Sequence, residues 1–465
     1  MRKIILLLPV FLLSISLFST PFQGHTYKFR LTLKNKGNTA FSTDAPEEFL
    51  SAKAIERRAK QNIKVDESDL PISDEYLKKI ENTGGIIVAK SKWNNTVAVH
   101  CTDSLMRQQL AQLPFVEDIA LVWKSKRRRI EMPADSSVFF KIMEPPIDSL
   151  YYGYAYDNIR IVNGDSLHAK GFKGEGMTIG VIDAGFNNFP QIEYFDNINL
   201  MGYKNFVHEN QTLFKQENQH GTNVISCIAT NHPNRFVGTA PHADFWLLGS
   251  EDYGSEYPIE EDYWAAAIEF ADSVGIDVVN TSLGYIAFDA PAASYTRDIL
   301  DGKSALISKA ADIAAQKGML IVVSAGNSGK KEWGKISVPA DAQGVLAVGS
   351  ISRDSIISSF SSRGLTADLR IKPDVVGLGS NAALIDENGS VSLKSGTSFA
   401  SPIICGLAAC LWQAFPSLTN YELMEVLRQS SDRCDDPSIE YGYGIPDMNR
   451  AMKIAEKYVE RKEKR

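Results

Sequence analysis

The sequence predicts an α/β protein: a parallel, doubly wound sheet flanked by helices, preceded by a small α+β unit. Beyond about residue 150, continuous apolar runs of strand length alternate with helical patterns, as expected for a parallel sheet covered on both faces. Before about residue 124, the runs alternate apolar and polar residues instead, which is typical of strands with one solvated face. A length of 465 residues also favours more than one domain.

The larger unit is predicted to span 149–455, with a charged tail at 456–465. Its strand candidates are 177–182, 245–248, 278–281, 320–324 and 345–348. A helix is predicted over 258–274, because apolar residues share one face and Glu260 and Glu261 lie in the first turn, at the positive end of the helix dipole. Functional residues are expected at the carboxyl ends of the strands, where open α/β sheets bind ligands.

The smaller unit is predicted to span 21–123, with strands at 27–33, 95–100 and 116–123 and a short helix at 105–113. A polar, basic, proline-containing linker follows at 124–148. Its basic run, residues 124–129, is either a solvated linker or a processing signal.

The first 20 residues have the layout of a secretory signal peptide. Met1-Arg2-Lys3 is basic, residues 4–18 are almost entirely apolar, and Ser19-Thr20 supplies small residues near a cleavage point. The apolar run is short for a bilayer span and no second run follows, so we expect no stable membrane span. There is no cysteine near the end of this run, so we expect no lipid anchor. The predicted location is secreted or periplasmic.

Composition excludes some function classes. A formal charge of −7 gives no reason to expect nucleic acid as a partner. The five cysteines are scattered and odd in number, which makes a poor disulfide framework. We expect them to be buried as small apolar residues.

Candidate chemistry lies at the predicted strand ends and helix starts. Asp183 follows an apolar strand, and His220 opens an apolar helix, where a cation does not stabilise the helix dipole. Ser398 precedes a long apolar helix, at the end where backbone N–H groups favour developing negative charge. Pro402 is expected in the first turn of that helix. Asn327, in a glycine-flanked turn after a strand, has an amide that can donate to an oxyanion. Each residue alone has an ordinary structural explanation: a cap, a turn or a surface histidine.

Four motifs in chain order resemble the signatures of the subtilisin-like serine proteases: Asp183-Ala184-Gly185, His220-Gly221-Thr222, Ser324-Ala325-Gly326-Asn327 and Gly396-Thr397-Ser398-Phe399-Ala400-Ser401-Pro402. The order Asp, His, Ser is that of the subtilisin triad. The resemblance covers about residues 150–450.

This resemblance implies a secreted serine endopeptidase with a catalytic triad of Asp183, His220 and Ser398. It implies an oxyanion hole formed by the Ser398 backbone N–H and the Asn327 side chain, and a substrate-binding segment at Ser282, Leu283 and Gly284. The expected partners are protein or peptide substrates and the chain's own prosegment, residues 21–123. The chain is expected to act as a monomer.

No cofactor is expected for the reaction. Calcium often stabilises this family, but no carboxylate-rich loop identifies a site, so no metal ligand is assigned. An acidic rim of Glu251, Asp252 and Glu256 suggests a preference for basic substrate residues. Ala184 and Asn223 depart from the family pattern, which usually has a hydroxyl residue and a second histidine there. The departures predict a missing hydrogen bond to Asp183 and retuned basicity of His220.

Two rival functions remain. One is a catalytically silent binding protein that has kept the fold, but such a relative typically loses one of the reacting residues. The other is a serine-carboxyl protease, which would have an acid in place of His220. A permanent accessory domain is likewise the alternative to a removable prosegment.

Overall fold

The computed structural model describes residues 25–125, 150–215 and 218–464. The expected signal peptide at 1–20 and nearly all of the expected linker at 124–148 lie outside the described residues. The described chain forms two units on either side of the segment 126–149.

The first unit is a four-stranded antiparallel sheet with three helices. Its elements are β1 (Tyr27–Leu33), α1 (Ala52–Lys60), α2 (Asp74–Glu81), β2 (Ile86–Ser91), β3 (Thr96–Cys101), α3 (Met106–Ala111) and β4 (Val116–Lys124). The strand order is β2-β3-β1-β4. One face of the sheet packs on α2 and α3 through residues such as Leu31, Ile80 and Leu110. The other face packs through Ala98 and Val122 on the second unit.

The second unit contains the remaining elements. Its helices are α4 (Tyr156–Arg160), α5 (Asp165–Ala169), α6 (His220–Ala229), α7 (Ile259–Val274), α8 (Leu306–Gln316), α9 (Thr397–Ala414), α10 (Asn420–Ser430) and α11 (Met448–Glu463). Its strands are β5 (Thr178–Asp183), β6 (Asn199–Asn205), β7 (Asn231–His232), β8 (Phe236–Val237), β9 (Asp244–Gly249), β10 (Val278–Thr281), β11 (Leu320–Ser324), β12 (Val345–Ile351), β13 (Gly364–Leu365), β14 (Ile371–Lys372), β15 (Val375–Leu378), β16 (Ala382–Ile385) and β17 (Val391–Lys394).

A seven-stranded parallel sheet forms the centre of this unit, in the order β15-β12-β11-β10-β5-β9-β6. Side chains alternate between its faces, so Val181 of β5 packs with α6 and α9, whereas Ile182 packs with α7 and α8. Both faces are covered, which explains why these strands are continuous apolar runs. The predicted fold class is confirmed.

Helix α9 lies in the core of the protein. By length and composition it could cross a membrane, but 89% of that stretch is buried inside the protein. The expectation that Pro402 lies in the first turn is wrong, because α9 already begins at Thr397. The helix tolerates the proline because the carbonyl that loses its partner, that of Ser398, accepts a different hydrogen bond, from Ser282 Oγ at 2.9 Å.

The cysteines are all free thiols. Four of them are buried, as expected: Cys101, Cys227, Cys405 and Cys410. Cys434 is only half-buried, because it lies in a surface loop beside the guanidinium of Arg450, with the sulfur 3.2 Å from Nη2. Helix α11 runs across residue 456, so the charged tail is the last part of this helix, and Tyr458 and Val459 still pack on the core.

Candidate active site

The candidate site lies at the carboxyl edge of the parallel sheet. Asp183 is the last residue of β5, and Ser282 follows β10, the strand beside it. Asn327 follows β11, the next strand along. Because the strands run in register, the side chains that follow them meet at one edge.

Asp183 and His220 are directly bonded. His220 Nδ1 lies 2.7 Å from Asp183 Oδ1, and the Asp183 side chain is completely buried while that of His220 is 31% exposed. Burial alone would lower the pKa of His220, but the charge and hydrogen bond of Asp183 outweigh it and raise that pKa above the ordinary 6.5. The imidazole is therefore held in one orientation, with Nε2 facing away from the carboxylate.

The second oxygen of Asp183 has no hydrogen-bond partner among the described residues. Oδ2 is buried, whereas Oδ1 accepts from His220 and from the Ala184 backbone N–H at 2.8 Å. Ala184 has no hydroxyl to donate, so the described chain lacks the hydrogen bond whose loss the sequence predicts.

The other departure from the family pattern, Asn223, brings a cation towards His220. Lys394 Nζ donates to Asn223 Oδ1 at 2.7 Å, and Asn223 lies one turn after His220 on α6. The charge of Lys394 acts to lower the pKa of His220, opposing Asp183. A histidine at position 223 would not offer the same amide oxygen to this lysine.

Ser398 is the second residue of α9, at the helix end where backbone N–H groups are free of intrahelical partners. Its side chain is nearly buried, and the ring of the next residue, Phe399, lies 6.0 Å from the imidazole of His220. In this structure Ser398 Oγ makes a long contact, 3.4 Å, with the backbone oxygen of Ser282. The start of α9, which carries Ser398, therefore lies beside His220.

A buried polar network fixes the backbone around Ser398. Ser282 Oγ donates to the Ser398 carbonyl and accepts from Asn280 Nδ2 at 3.1 Å, while Ser401 Oγ donates to Asn280 Oδ1 at 2.8 Å. The network joins the end of β10 to the start of α9. Sequence reasoning assigned no role to Asn280 or Ser401, and only the absent N–H of Pro402 signals that the Ser398 carbonyl needs a partner.

Asn327 is oriented by Thr397, a residue whose role the sequence does not reveal. Asn327 Oδ1 accepts from the Thr397 backbone N–H at 2.9 Å and from Thr397 Oγ1 at 3.0 Å. Asn327 is exposed. With its oxygen occupied, its amide N–H₂ group is the part of the side chain left to donate to another group.

The segment after β10 packs closely on the neighbouring chain at Ser337. A Cβ on Gly284 would lie 2.1 Å from Ser337 Oγ, so only glycine fits there.

The expected acidic rim is weaker than the sequence suggests. Burial, with the charges of Glu256 and Asp183, raises the pKa of Glu251 well above its ordinary value, and its carboxylate accepts from the Tyr285 hydroxyl.

Within residues 25–125, 150–215 and 218–464, no three His, Cys, Asp or Glu side chains are grouped so that they could hold a metal ion. The calcium implied by resemblance therefore finds no fitting carboxylate-rich donor set in this part of the chain.

Comparison with known proteins identifies both units. Residues 174–445 match the model of the subtilase family, Peptidase S8, and residues 28–136 match the Peptidase S8 propeptide domain of Bacteroidota. Subtilisin Savinase from Lederbergia lenta is 28% identical over 63% of this chain and 96% of its own length. Subtilisin E from Bacillus subtilis (strain 168) is 26% identical over 69% of this chain and 77% of its own length.

The fold and the match over the second unit define the class of the protein as a serine endopeptidase. The chain belongs to the subtilase family. Its first unit corresponds to the propeptide domain of that family. The resemblance drawn from the four motifs is confirmed.

Proposed function

We propose that this protein is a secreted endopeptidase that hydrolyses peptide bonds through Asp183, His220 and Ser398, by way of an acyl-enzyme. The observation that carries the proposal is the bond between His220 Nδ1 and buried Asp183, 2.7 Å long, beside the start of α9, where Ser398 lies. This bond fixes the tautomer in which Nε2 can take a proton from a serine hydroxyl.

Ser398 Oγ attacks the carbonyl carbon of the scissile bond while its proton passes to His220 Nε2. Asp183 stabilises the imidazolium that forms. The proton then moves to the leaving amine, the C–N bond breaks, and Ser398 is left acylated. Water, deprotonated by His220, hydrolyses the ester and restores the hydroxyl.

The negative charge of the tetrahedral intermediate needs donors at the start of α9. The Ser398 backbone N–H and the Asn327 amide, oriented by Thr397, fill this role. Ser282, Leu283 and Gly284 pair with the substrate backbone as an added strand. Every role is filled by a group of the chain itself, so the scheme uses no cofactor.

The substrates are proteins or peptides, and the first unit is the chain's own partner. The signal-peptide layout of residues 1–20 supports export, to the periplasm or the medium. The relatives named above are subtilisins, and this likeness supports an extracellular location. We propose a monomer, because no partner copy is needed to complete the site.

A fluorophosphonate probe tests the nucleophile. We expect it to label the purified protein at Ser398 once the chain has been cut between residues 125 and 150, and to leave the Ser398→Ala variant unlabelled. Ser417→Ala, which removes an exposed serine after α9, serves as the control and should label like the natural protein.

Folded, linker-cut protein that takes up no probe would contradict the proposed activity. It would instead favour a silent binding protein with the subtilase fold. Mass spectrometry of the amino terminus, on the same sample, shows whether residues 1–20 and the first unit have been removed.

A further inference from the structure

A lysine without an acidic partner lies close to the candidate active site. Lys394 is the last residue of β17 and precedes Ser398 by four positions along the chain. It is half-buried, and its Nζ donates to the neutral amide oxygen of Asn223 at 2.7 Å. Among the residues that the structure describes, no carboxylate forms an ion pair with this ammonium group. Its positive charge is therefore not neutralised there.

The backbone on either side of Lys394 is held in place. Lys394 pairs with Ala382 in the ladder between β16 and β17. The next residue, Ser395, accepts the Asn381 backbone N–H through its Oγ at 3.0 Å. The side chain of the lysine thus starts from a fixed point between a strand end and the start of α9.

Asn223 fixes the head of the lysine. This asparagine is 2% exposed and lies one turn after His220 on α6. Its Nδ2 donates to the Ile385 carbonyl at 3.4 Å, which leaves Oδ1 to accept from Lys394. An ammonium group has three N–H donors, and this oxygen takes one of them. Two donors and the positive charge remain for a further group.

The charge of Lys394 also acts on the imidazole of His220. It works to lower the pKa of His220, against the effect of Asp183. The residue that holds the ammonium, Asn223, is on the same helix as His220. The lysine and the imidazole are therefore neighbours.

The proposed reaction determines which part of a substrate comes near this lysine. His220 Nε2 delivers its proton to the amine that leaves. That amine belongs to the substrate residue directly after the scissile bond, so this residue lies against the imidazole while the bond breaks. The other half of the substrate stays attached to Ser398 as the acyl group. The leaving half is thus the part that meets the charge of Lys394.

We propose that Lys394 selects substrates that carry an acidic residue, Asp or Glu, directly after the scissile bond. A carboxylate at this position accepts from the two remaining N–H donors and neutralises the ammonium group, which a neutral side chain does not do. The inference rests on the proposed function and deepens it, because it names the class of residue that the same site prefers.

Two peptides that differ at one position test this preference. One carries Glu directly after the scissile bond, and the other carries Gln, which has the same shape without the charge. The protein cut between residues 125 and 150 is used, its reactive sites are counted with the fluorophosphonate probe, and kcat/KM is measured for each peptide. Mass spectrometry of the products checks that the same bond is cut in both.

Three variants accompany the parent protein. Lys394→Gln removes the charge, and Lys394→Arg keeps it. Lys457→Gln, which removes an exposed lysine of α11, is the matched control. The ratio of the two kcat/KM values is compared within each protein. A shift in the pKa of His220 alone changes the cleavage of both peptides equally and leaves this ratio unchanged.

We expect the parent and Lys457→Gln to favour the Glu peptide about five-fold at low salt, which is the magnitude of a partly exposed ion pair. Lys394→Gln should bring the ratio close to one, and Lys394→Arg should restore most of the preference. Salt at about 1 M should weaken it in the parent, because the charges are then screened.

A ratio close to one in the parent, or the same ratio in Lys394→Gln as in the parent, would overturn the proposal. Protein that takes up the probe and cuts both peptides equally fails only this inference. Protein that takes up no probe and cuts neither peptide contradicts the proposed function, and this inference with it.

Discussion

Asp183 Oδ2 is buried and lacks a hydrogen-bond partner within the described residues. A carboxylate with fewer hydrogen-bond donors keeps more of its negative charge for the imidazolium of His220, which favours the protonated ring. Lys394, held by Asn223, opposes this effect with a positive charge. The two departures from the family pattern, Ala184 and Asn223, therefore shift the pKa of His220 in opposite directions.

The pH dependence of kcat/KM tests this interpretation. Proton acceptance requires neutral His220, and the pKa of His220 is raised above 6.5, so activity should fall as the pH drops through a midpoint above 6.5. Ala184→Ser adds a donor for Asp183, and we expect it to move that midpoint down by less than about one pH unit. Ala111→Ser, on the exposed surface of α3, should leave it unchanged. An unchanged or higher midpoint in Ala184→Ser would refute the interpretation.

At the level of single residues, the sequence identifies the residues proposed to react, because Asp183, His220 and Ser398 each lie in a compact motif. It does not identify the residues that orient them. Thr397 and Lys394 meet Asn327 and Asn223 only through the fold, across 70 and 171 residues of chain. No local pattern reports such pairings.

Two elements, β11 and α9, build the proposed oxyanion hole between them. β11 ends at Ser324 and leads to Asn327, and α9 begins at Thr397, which accepts a bond from the Gly326 backbone N–H at 3.1 Å and donates to Asn327. The strand end and the helix start are thereby locked together.

Removal of the Asn327 amide should lower turnover without comparable loss of substrate binding. We expect Asn327→Ala to reduce kcat about 10²–10³-fold, which is the magnitude known for the loss of the corresponding donor in subtilisin. Asn388→Ala, in the exposed turn between β16 and β17, is the control. Steady-state kinetics on a peptide substrate would count against the oxyanion role if Asn327→Ala changed KM alone.

Strands and helices were predicted correctly where the order of apolar and polar residues within the element determines its structure. The strands at 278–281 and 320–324 match β10 and β11, because both are buried on both faces by helices. Helix α1 shows where it fails. This helix was not predicted, and nothing in its own pattern shows that Arg57 and Arg58 are buried, because their partner, Asp272, lies more than 200 residues later.

The molecule as a whole contains one buried histidine that does not belong to the candidate site. His168 Nε2 lies 3.0 Å from the Thr239 carbonyl, and Nδ1 lies 3.2 Å from the Tyr152 hydroxyl. Burial is the main reason that the pKa of His168 is lowered to about 4. The folded protein thus holds this ring neutral at a pH where the unfolded chain protonates it.

This difference predicts a loss of stability in acid. The pKa of His168 in the folded protein lies below its unfolded value of about 6.5. The contribution of the neutral ring to the free energy of unfolding is therefore complete above pH 6.5 and is lost as the pH falls towards 4. Between pH 7.5 and 4.5 the loss amounts to roughly 2 to 3 kcal/mol.

Urea unfolding of the Ser398→Ala protein at both pH values measures the effect. His168→Gln should lose roughly 2 to 3 kcal/mol less than the parent across this interval, whereas His208→Gln, at an exposed position, should lose as much as the parent. Equal losses for His168→Gln and the parent would rule out His168 as the source.

The contact between α1 and the end of α7 also bears on how the chain is made. Residues 25–125 leave the ribosome before any strand of the parallel sheet, so Arg57 and Arg58 are already in place when Asp272 emerges. The contacts of α1 and Gln61 with Ile276 and Gly318 hold the amino ends of β10 and β11 side by side, which lowers the loop-closure cost of pairing these strands. The position of α1 therefore favours the pairing of the central strands.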